Sequence, residues 1–176
     1  KEVRMSKRKG DFVTIDELID EVGVDTARFF FLERSPNSHM DFDLELAKKQ
    51  SQENPVYYVQ YAHARCCSIL AKYQISNIKY QKLETSLLKE PEELRLIKKL
   101  IQFSEVVEDT ARDFQVQRIP RYALELAKTF HNFYEKCRVI TEDENLTQAR
   151  INLVLATKII LKNTLNLLNV DCPEKM

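Results

Sequence analysis

The stretch that decides the fold is "NPVYYVQYAHARCCSILAKY", residues 54–73. It opens on an asparagine that can cap a helix, followed by a proline, which is favoured at the first helical position. The apolar and small residues that then recur at helical spacing are Val59, Ala62, His63, Cys66, Ile69, Leu70 and Tyr73. This pattern predicts an amphipathic helix of about five turns.

Shorter helices are predicted before this stretch. The chain has only two glycines and five prolines, and nearly all of them stand where a helix would begin or end. Thr14 and Glu17 form a capping box, which predicts a short helix that stops at Gly23. Asp25 is the predicted cap of a second helix through residues 29–32, and a third is expected around residues 44–52.

Three longer helices are predicted after it. Pro91 opens the first of these, whose expected inward residues are Leu94, Ile97, Leu100, Ile101, Ser104 and Val107. Pro120 opens the second, and residues 146–168 form the third, which ends at Asn169, a residue that tolerates the left-handed conformation. Outside residues 11–13 no alternating strand pattern occurs. The predicted fold class is therefore all-α, a bundle of four main helices preceded by shorter ones.

Composition excludes several classes of protein. Hydrophobic residues make up 44% and charged residues 31%, an ordinary balance for a soluble domain. No apolar run approaches about 18 residues, so no membrane span is expected. The four cysteines lack the paired spacing of a zinc site, which predicts reduced thiols in a cytosolic protein and no metal. The three histidines are too scattered to argue a catalytic cluster.

Charge is balanced overall but unevenly distributed. The formal net charge is zero, which argues against a protein that coats nucleic acid indiscriminately. Residues 55–83 and 146–169 nevertheless carry lysine and arginine without any acidic residue. Basic helix faces on a neutral protein fit one specific polyanionic partner. Solvated faces without a partner explain the charges equally well.

Near the start of the chain, "RMSKRKG", residues 4–10, packs four cations beside a glycine. A mobile loop of this kind can bring Lys7 onto a phosphate, and Gly10 permits the turn. The glycine pattern of a P-loop is missing, so no nest of backbone amides wraps a triphosphate. A disordered basic N-terminus is the alternative interpretation.

Two aromatic stretches are candidates for recognition. Tyr58, Tyr61 and Arg65 are spaced i, i+3, i+7, which predicts one exposed stripe that could stack bases and contact phosphate. The alternative is that the tyrosines lie at the edge of the core.

The second stretch is "FHNFYEKCR", residues 130–138. Its predicted inward residues are Phe130, Phe133 and Cys137, and its predicted outer residues are Asn132, Tyr134, Lys136 and Arg138. His131 and Glu135 lie at i, i+4, which favours a surface hydrogen bond because no second histidine completes a metal site. The last residue, Met176, would ordinarily be regarded as frayed.

Taken together, these stretches resemble a known family. The segment "RMSKRKGDFVTIDELIDEVGVDTARFFFLERSPNSHMDFDLELAKKQSQENPVYYVQYAHARCCSIL", with "ALELAKTFHNFYEKCRVI" and the closing "LNLLNVDCPEKM", resembles the C-terminal part of bacterial arginyl-tRNA synthetases. The resemblance covers essentially the whole chain. It implies three parts: residues 1–10, a remnant of the catalytic signature loop; residues 11–53, a helical stem; and residues 54–176, a helical anticodon-binding domain.

The resemblance also implies roles for single residues. "MSKR", residues 5–8, is similar to the class I signature loop, in which Lys7, with Met5 and Ser6, would steady ATP phosphates; Arg8 stands where the family has a second lysine. The catalytic domain would lie upstream. By motif position, the residues around the anticodon bases would be Tyr58, Arg65, Tyr134 and Met176. Tyr61, Asn132 and Lys136 join them as candidate nucleic-acid contacts.

The implied partner is arginine tRNA, bound through its anticodon loop and the inner side of its L shape. ATP, Mg²⁺ and arginine would bind only the intact cytoplasmic ligase, so no cofactor is expected for this chain. Neither a membrane nor DNA is an expected partner. We expect it to bind tRNA without aminoacylating it. A helical protein-interaction bundle that does not bind RNA is the alternative function. A free-standing nucleotide-binding enzyme is a third reading, for which no pocket-forming domain is expected.

Overall fold

The computed structural model describes residues 13–73 and 85–176. Within these ranges the chain forms seven α-helices and no strand. One 3-10 turn, Thr85–Leu87, lies between the fourth and the fifth helix. This confirms the all-α prediction. The helices are α1 (Ile15–Val22), α2 (Val24–Leu32), α3 (Leu44–Lys48), α4 (Pro55–Lys72), α5 (Pro91–Asp113), α6 (Arg118–Lys136) and α7 (Glu144–Leu167).

The first three helices form the stem that precedes the bundle. The predicted capping box of Thr14 and Glu17 is present, and Gly23 ends α1 with φ +82°, a conformation that favours glycine. Helix α3 ends at Lys48 and not near residue 52, because the side-chain amide of Asn54 donates to the carbonyls of Ala47 and Lys49 at 2.9 and 3.0 Å. These bonds satisfy carbonyls that a longer helix would use.

The bundle consists of α4 to α7, as predicted. Helix α4 begins at Pro55 with Asn54 as its cap and buries the expected face. Helix α5 packs mainly on α6, whereas α4 packs on α7 and α6. The centre of the core is made of large side chains without exposed area: Phe29, Leu96, Leu126, Phe130, Phe133, Ile151, Leu161 and Leu165. The bundle therefore fixes α4 and α6 side by side.

The inward face predicted for α5 is partly wrong. Leu94, Ile101 and Ser104 are exposed, and the buried residues of this helix are Glu93 and Leu96. The apolar residues of α5 that form or pack against the core are Leu96, Ile97, Leu100, Phe103, Val106 and Val107. Glu93 is buried on this side of the helix, where its carboxylate accepts from Arg150 Nε at 2.7 Å and both side chains are buried. A glutamate is ordinarily expected at the surface, so the sequence pattern gave no reason to place it inside.

Other predictions about composition can be compared with the described residues. Every helix there is too short or too polar to span a lipid bilayer. No group of three or more potential metal ligands occurs in the described ranges. All four cysteines are free thiols.

Candidate nucleic-acid interface

Helices α4 and α6 bring an arginine between two tyrosines. The guanidinium carbon of Arg65 lies 4.8 Å from the centre of the Tyr61 ring and 4.9 Å from that of Tyr134. Arg65 also donates a 2.6 Å hydrogen bond to the Tyr61 hydroxyl. Tyr134 is 39% exposed, so the group opens to solvent. The structure thus unites Tyr61, Arg65 and Tyr134, which the sequence placed in two separate stretches.

Tyr57 belongs to the same group of side chains, although the sequence analysis did not identify it as a candidate. It lies one helical turn before Tyr61, and the two rings stack with centroids 6.3 Å apart and planes 8° from parallel. The signal was available, since Tyr57, Tyr61 and Arg65 follow each other at i, i+4, i+8. We call Tyr57, Tyr61, Arg65 and Tyr134 the tyrosine–arginine surface.

Tyr58 is half-buried, as are Tyr57, Tyr61 and Arg65, so the predicted stripe lies at the edge of the core and is not fully exposed. The Tyr58 ring packs against His131, with centroids 4.8 Å apart. Burial, with a smaller contribution from Glu135, raises the pKa of the Tyr58 phenol. Tyr58 and Tyr61 both pack against His131 of α6, with ring centroids 4.8 and 5.8 Å from that of the imidazole. Tyr58 therefore lies where α4 meets α6, next to the tyrosine–arginine surface.

His131 is the clearest correction to the sequence analysis. It was expected at the surface beside Glu135, but it is only 6% exposed and packs under Tyr58, Tyr61 and Phe130. Its Nε2 atom is buried and has no hydrogen-bond partner among the described residues. Burial, helped by the positive charge of Arg65, lowers the pKa of His131 to about 4. The imidazole is therefore neutral at physiological pH and acts as part of the aromatic layer.

Two other predicted contacts lie elsewhere. Asn132 lines a groove of about 290 Å³ between α5 and α6, together with Arg95, Lys98 and Lys99. Lys136 is exposed in the last turn of α6. These residues point away from the tyrosines because α6 turns by about 100° per residue. Lys7, Met5 and Ser6 lie outside the described residues.

Met176 lies beside the surface, at a different place from that expected. It lines a cleft of about 610 Å³ between the stem helices and the start of α4, together with Tyr57 and Gln60. The side chain is 50% exposed. We call this space the C-terminal cleft. Tyr57 therefore lines the cleft and also stacks on Tyr61 of the tyrosine–arginine surface.

The chain after α7 is held in place by hydrogen bonds to α2 and α4. Asn169 adopts φ +51°, as predicted, and turns the chain at the end of α7. The Asp171 amide donates to Asp25 Oδ2 at 3.1 Å, and Gln60 Nε2 donates to the Asp171 carbonyl at 3.0 Å. The Pro173 carbonyl accepts from His63 Nδ1 at 2.9 Å. Asp25, predicted as a helix cap, is instead used in this tertiary contact.

This arrangement has the chemistry of a single-stranded nucleic-acid contact. Tyrosine faces stack nucleobases irrespective of their sequence, and a guanidinium can bind phosphate or a base edge. The thioether of Met176 is flexible enough to pack on a flat ring. A group of rings around one guanidinium is therefore suited to contact unstacked bases.

Comparisons with known proteins identify the family of the chain. The model of the DALR anticodon binding domain family matches residues 59–176. The chain is 52% identical to the arginine–tRNA ligase of Dehalococcoides mccartyi and 51% identical to that of Caldanaerobacter subterraneus. Each alignment covers 99% of this chain, and 31% and 32% of the respective relative. The chain thus spans about a third of the length of these curated relatives.

Solved structures give the same result. A structure described as a putative arginyl-tRNA synthetase from Campylobacter jejuni superposes with a TM-score of 0.80 at 29% identity, covering 95% of this chain and 36% of that one. The Thermus thermophilus arginyl-tRNA synthetase gives a TM-score of 0.75 at 29% identity, covering 97% and 29%. Since the family model matches more than half of the residues, the chain belongs to the DALR anticodon-binding domain family.

Proposed function

We propose that this chain is the tRNA-recognising part of an arginine–tRNA ligase, the ATP-dependent enzyme that attaches arginine to its tRNA. The observation that carries the proposal is the placement of Arg65 between Tyr61 and Tyr134. Flat groups stack in this arrangement, and Tyr134 is open to solvent. The anticodon loop of arginine tRNA is the ligand that such a surface in this family would bind.

Binding would proceed through unstacked anticodon bases. Each base that stacks on a tyrosine contributes about 1–3 kcal/mol, which offsets the cost of unstacking it from the loop. Arg65 can turn from its tyrosines to an RNA phosphate, because the planar guanidinium can donate two parallel hydrogen bonds to phosphate oxygens. In the whole enzyme this binding energy would help to position the acceptor end of the tRNA for transfer of arginine.

The rest of the chain has supporting roles in this proposal. Residues 1–10 would contribute Lys7, with Met5 and Ser6, to the ATP phosphates, and residues 11–53 would touch the inner side of the tRNA. Residues 54–176 would bind the anticodon, with Asn132 and Lys136 outside the tyrosine–arginine surface as contacts to the RNA backbone. ATP, Mg²⁺ and arginine are ligands of the whole cytoplasmic enzyme, and this chain alone would not aminoacylate.

The test is the affinity of the purified chain for arginine tRNA. Replacing Tyr134 with alanine should weaken binding by about tenfold or more, since one stacking contact is lost. A matched control is Phe114→Ala. Phe114 is also an exposed ring, at 78%, but it lies just before the first residue of α6, whereas Tyr134 lies near the last. The control variant should bind like the original chain. Circular dichroism would verify that both variants keep their helical content.

The same experiment decides between this function and a helical protein-interaction bundle. Leu94 and Ile101 are exposed on one face of α5, which is the apolar surface that the alternative would use. Unchanged tRNA affinity after both Tyr134→Ala and Tyr61→Ala would remove the RNA-binding proposal and favour the alternative. A chain that hydrolyses ATP or charges tRNA by itself would contradict the division of labour described above.

A further inference from the structure

Gln60 has an unusual position between the stem, the bundle and the end of the chain. It lies on α4 and lines the C-terminal cleft with Tyr57 and Met176. Its amide nitrogen donates to Asp25 Oδ2 and to the Asp171 carbonyl, both at 3.0 Å. One side chain therefore joins α2, α4 and the residues that lead to Met176.

These two bonds determine which way the Gln60 amide points. A carboxylate and a carbonyl accept hydrogen bonds but donate none, so the nitrogen must face them. The amide therefore cannot be flipped without losing both bonds. Its oxygen, Oε1, is left without a hydrogen-bond partner among the described residues. Gln60, which lines the cleft, thus carries an unpaired acceptor on an amide whose orientation is fixed.

The other amide side chains of the cleft do not carry an unpaired acceptor in a fixed orientation. The Asn54 amide is saturated, since it donates to Ala47 and Lys49 and accepts from the Val56 amide. Gln50 is exposed, and no described residue holds its amide in one orientation. Lys48 is paired with Glu21, and Lys49 is paired with Glu53. Among the amide and lysine side chains that line the cleft, the fixed and unpaired group is therefore the acceptor of Gln60.

A fixed acceptor selects bases by their exocyclic amine. Cytosine and adenine present an amine on the edge where uracil presents an oxygen, so uracil would place two acceptors against each other. The Tyr57 ring and the half-exposed Met176 thioether offer apolar contacts to such a base. Arginine anticodons share a central cytosine. We infer that Gln60 is a specificity-determining residue, whose Oε1 accepts from the amine of that cytosine in the C-terminal cleft; the inference rests on the proposed function.

The test compares anticodon stem-loop hairpins of arginine tRNA that differ at the central base. The first carries cytosine, the second carries 2-pyrimidinone, which is cytosine without its amine, and the third carries uracil. The 176-residue chain should bind the cytosine hairpin about tenfold more tightly than the 2-pyrimidinone hairpin, and the uracil hairpin should bind no better than the latter. Equal affinity for cytosine and 2-pyrimidinone would overturn the inference without any variant being needed.

Variants then separate recognition from positioning. Gln60→Met has similar volume but no acceptor, and should bring the ratio of the cytosine and 2-pyrimidinone affinities close to one. Asp25→Ala removes one of the two acceptors that fix the Gln60 amide, so it should lower the preference for the cytosine hairpin over the uracil hairpin, because the amide can then turn its nitrogen towards the uracil oxygen. Gln102→Met, at an exposed position of α5, is the matched control and should retain the original ratio. A Gln60→Met chain that is folded and keeps the ratio would also overturn the inference.

The outcomes distinguish this inference from the proposed function. A chain that binds none of the hairpins contradicts the proposed function itself. A chain that binds all three hairpins tightly and equally supports RNA binding but contradicts the role of Gln60. Discrimination that disappears with Gln60→Met and persists with Gln102→Met supports both.

Discussion

The ion pair between Glu93 and Arg150 allows the sharpest stability prediction. Glu93 has no exposed area, and its carboxylate accepts from Arg150 Nε at 2.7 Å and from the Glu90 amide at 2.9 Å. Replacing Glu93 with methionine keeps most of the volume but leaves the Arg150 guanidinium buried, with its remaining bond to the Arg138 carbonyl at 2.8 Å. The perturbation therefore leaves a buried charge without its partner.

The magnitude follows from the burial of both partners. Breaking a buried pair from one side costs about 3–5 kcal/mol, a large share of the 5–15 kcal/mol by which an ordinary domain is stable. In a domain of this size, each kcal/mol lowers the melting temperature by about 2–4 °C, so Glu93→Met should lower it by about 10 °C. The exposed pair of Arg112 and Asp109 is the control, and Asp109→Asn should cost less than about 1 kcal/mol.

The assay is urea unfolding followed by far-ultraviolet circular dichroism, with thermal melting in parallel. The double variant Glu93→Met with Arg150→Met should recover most of the lost stability, because neither charge is then left unpaired. A Glu93→Met variant that is no less stable than Asp109→Asn would refute the reasoning. Such a result would mean that water or a neighbouring group solvates Arg150 without the carboxylate.

Three further predictions concern the interface and the ends of the helices. The pKa of His131 in the folded chain, about 4, is below its ordinary value of about 6.5, so the free energy of unfolding should fall by about 3 kcal/mol as the pH drops from 6.5 to 4. Urea unfolding of His131→Phe should show a weaker pH dependence over this range. A pH dependence equal to that of the original chain would contradict the assignment. Arg65→Lys keeps the charge but loses the flat guanidinium, so its affinity for arginine tRNA should fall about fivefold or more; affinity equal to that of the original chain would mean that charge alone suffices. Phe114 ends α5 with φ +58°, so Phe114→Gly should raise the free energy of unfolding by about 0.5–1 kcal/mol, and a loss of stability would show that its ring packs usefully.

The sequence was most informative where a local rule sets the structure. The Asn54–Pro55 start of α4, the Thr14–Glu17 capping box and the left-handed Asn169 were all confirmed because neighbouring residues decide them. The burial of Glu93 on α5 could not be predicted in the same way. Its partner, Arg150, lies 57 residues away in the chain.

The candidate site shows the same difference between features that neighbouring residues decide and features that depend on packing between helices. Tyr61, Arg65 and Tyr134 were identified as separate stripes, but their mutual contact depends on the packing of α4 against α6. His131 was placed at the surface because an isolated i, i+4 pair with Glu135 looks exposed, whereas the rings of α4 cover it. Local spacing gives the face of one helix. It does not give the neighbour that covers that face.

The most direct test of the central claim removes the bases and keeps the backbone. An arginine anticodon stem-loop whose three anticodon nucleotides are abasic retains every phosphate but has nothing to stack on Tyr61, Tyr134 or Met176. We predict that the chain binds this hairpin at least about tenfold more weakly than the intact one, by equilibrium titration at a fixed salt concentration. Equal affinity for the two hairpins would contradict base recognition and would reduce the interaction to phosphate charge.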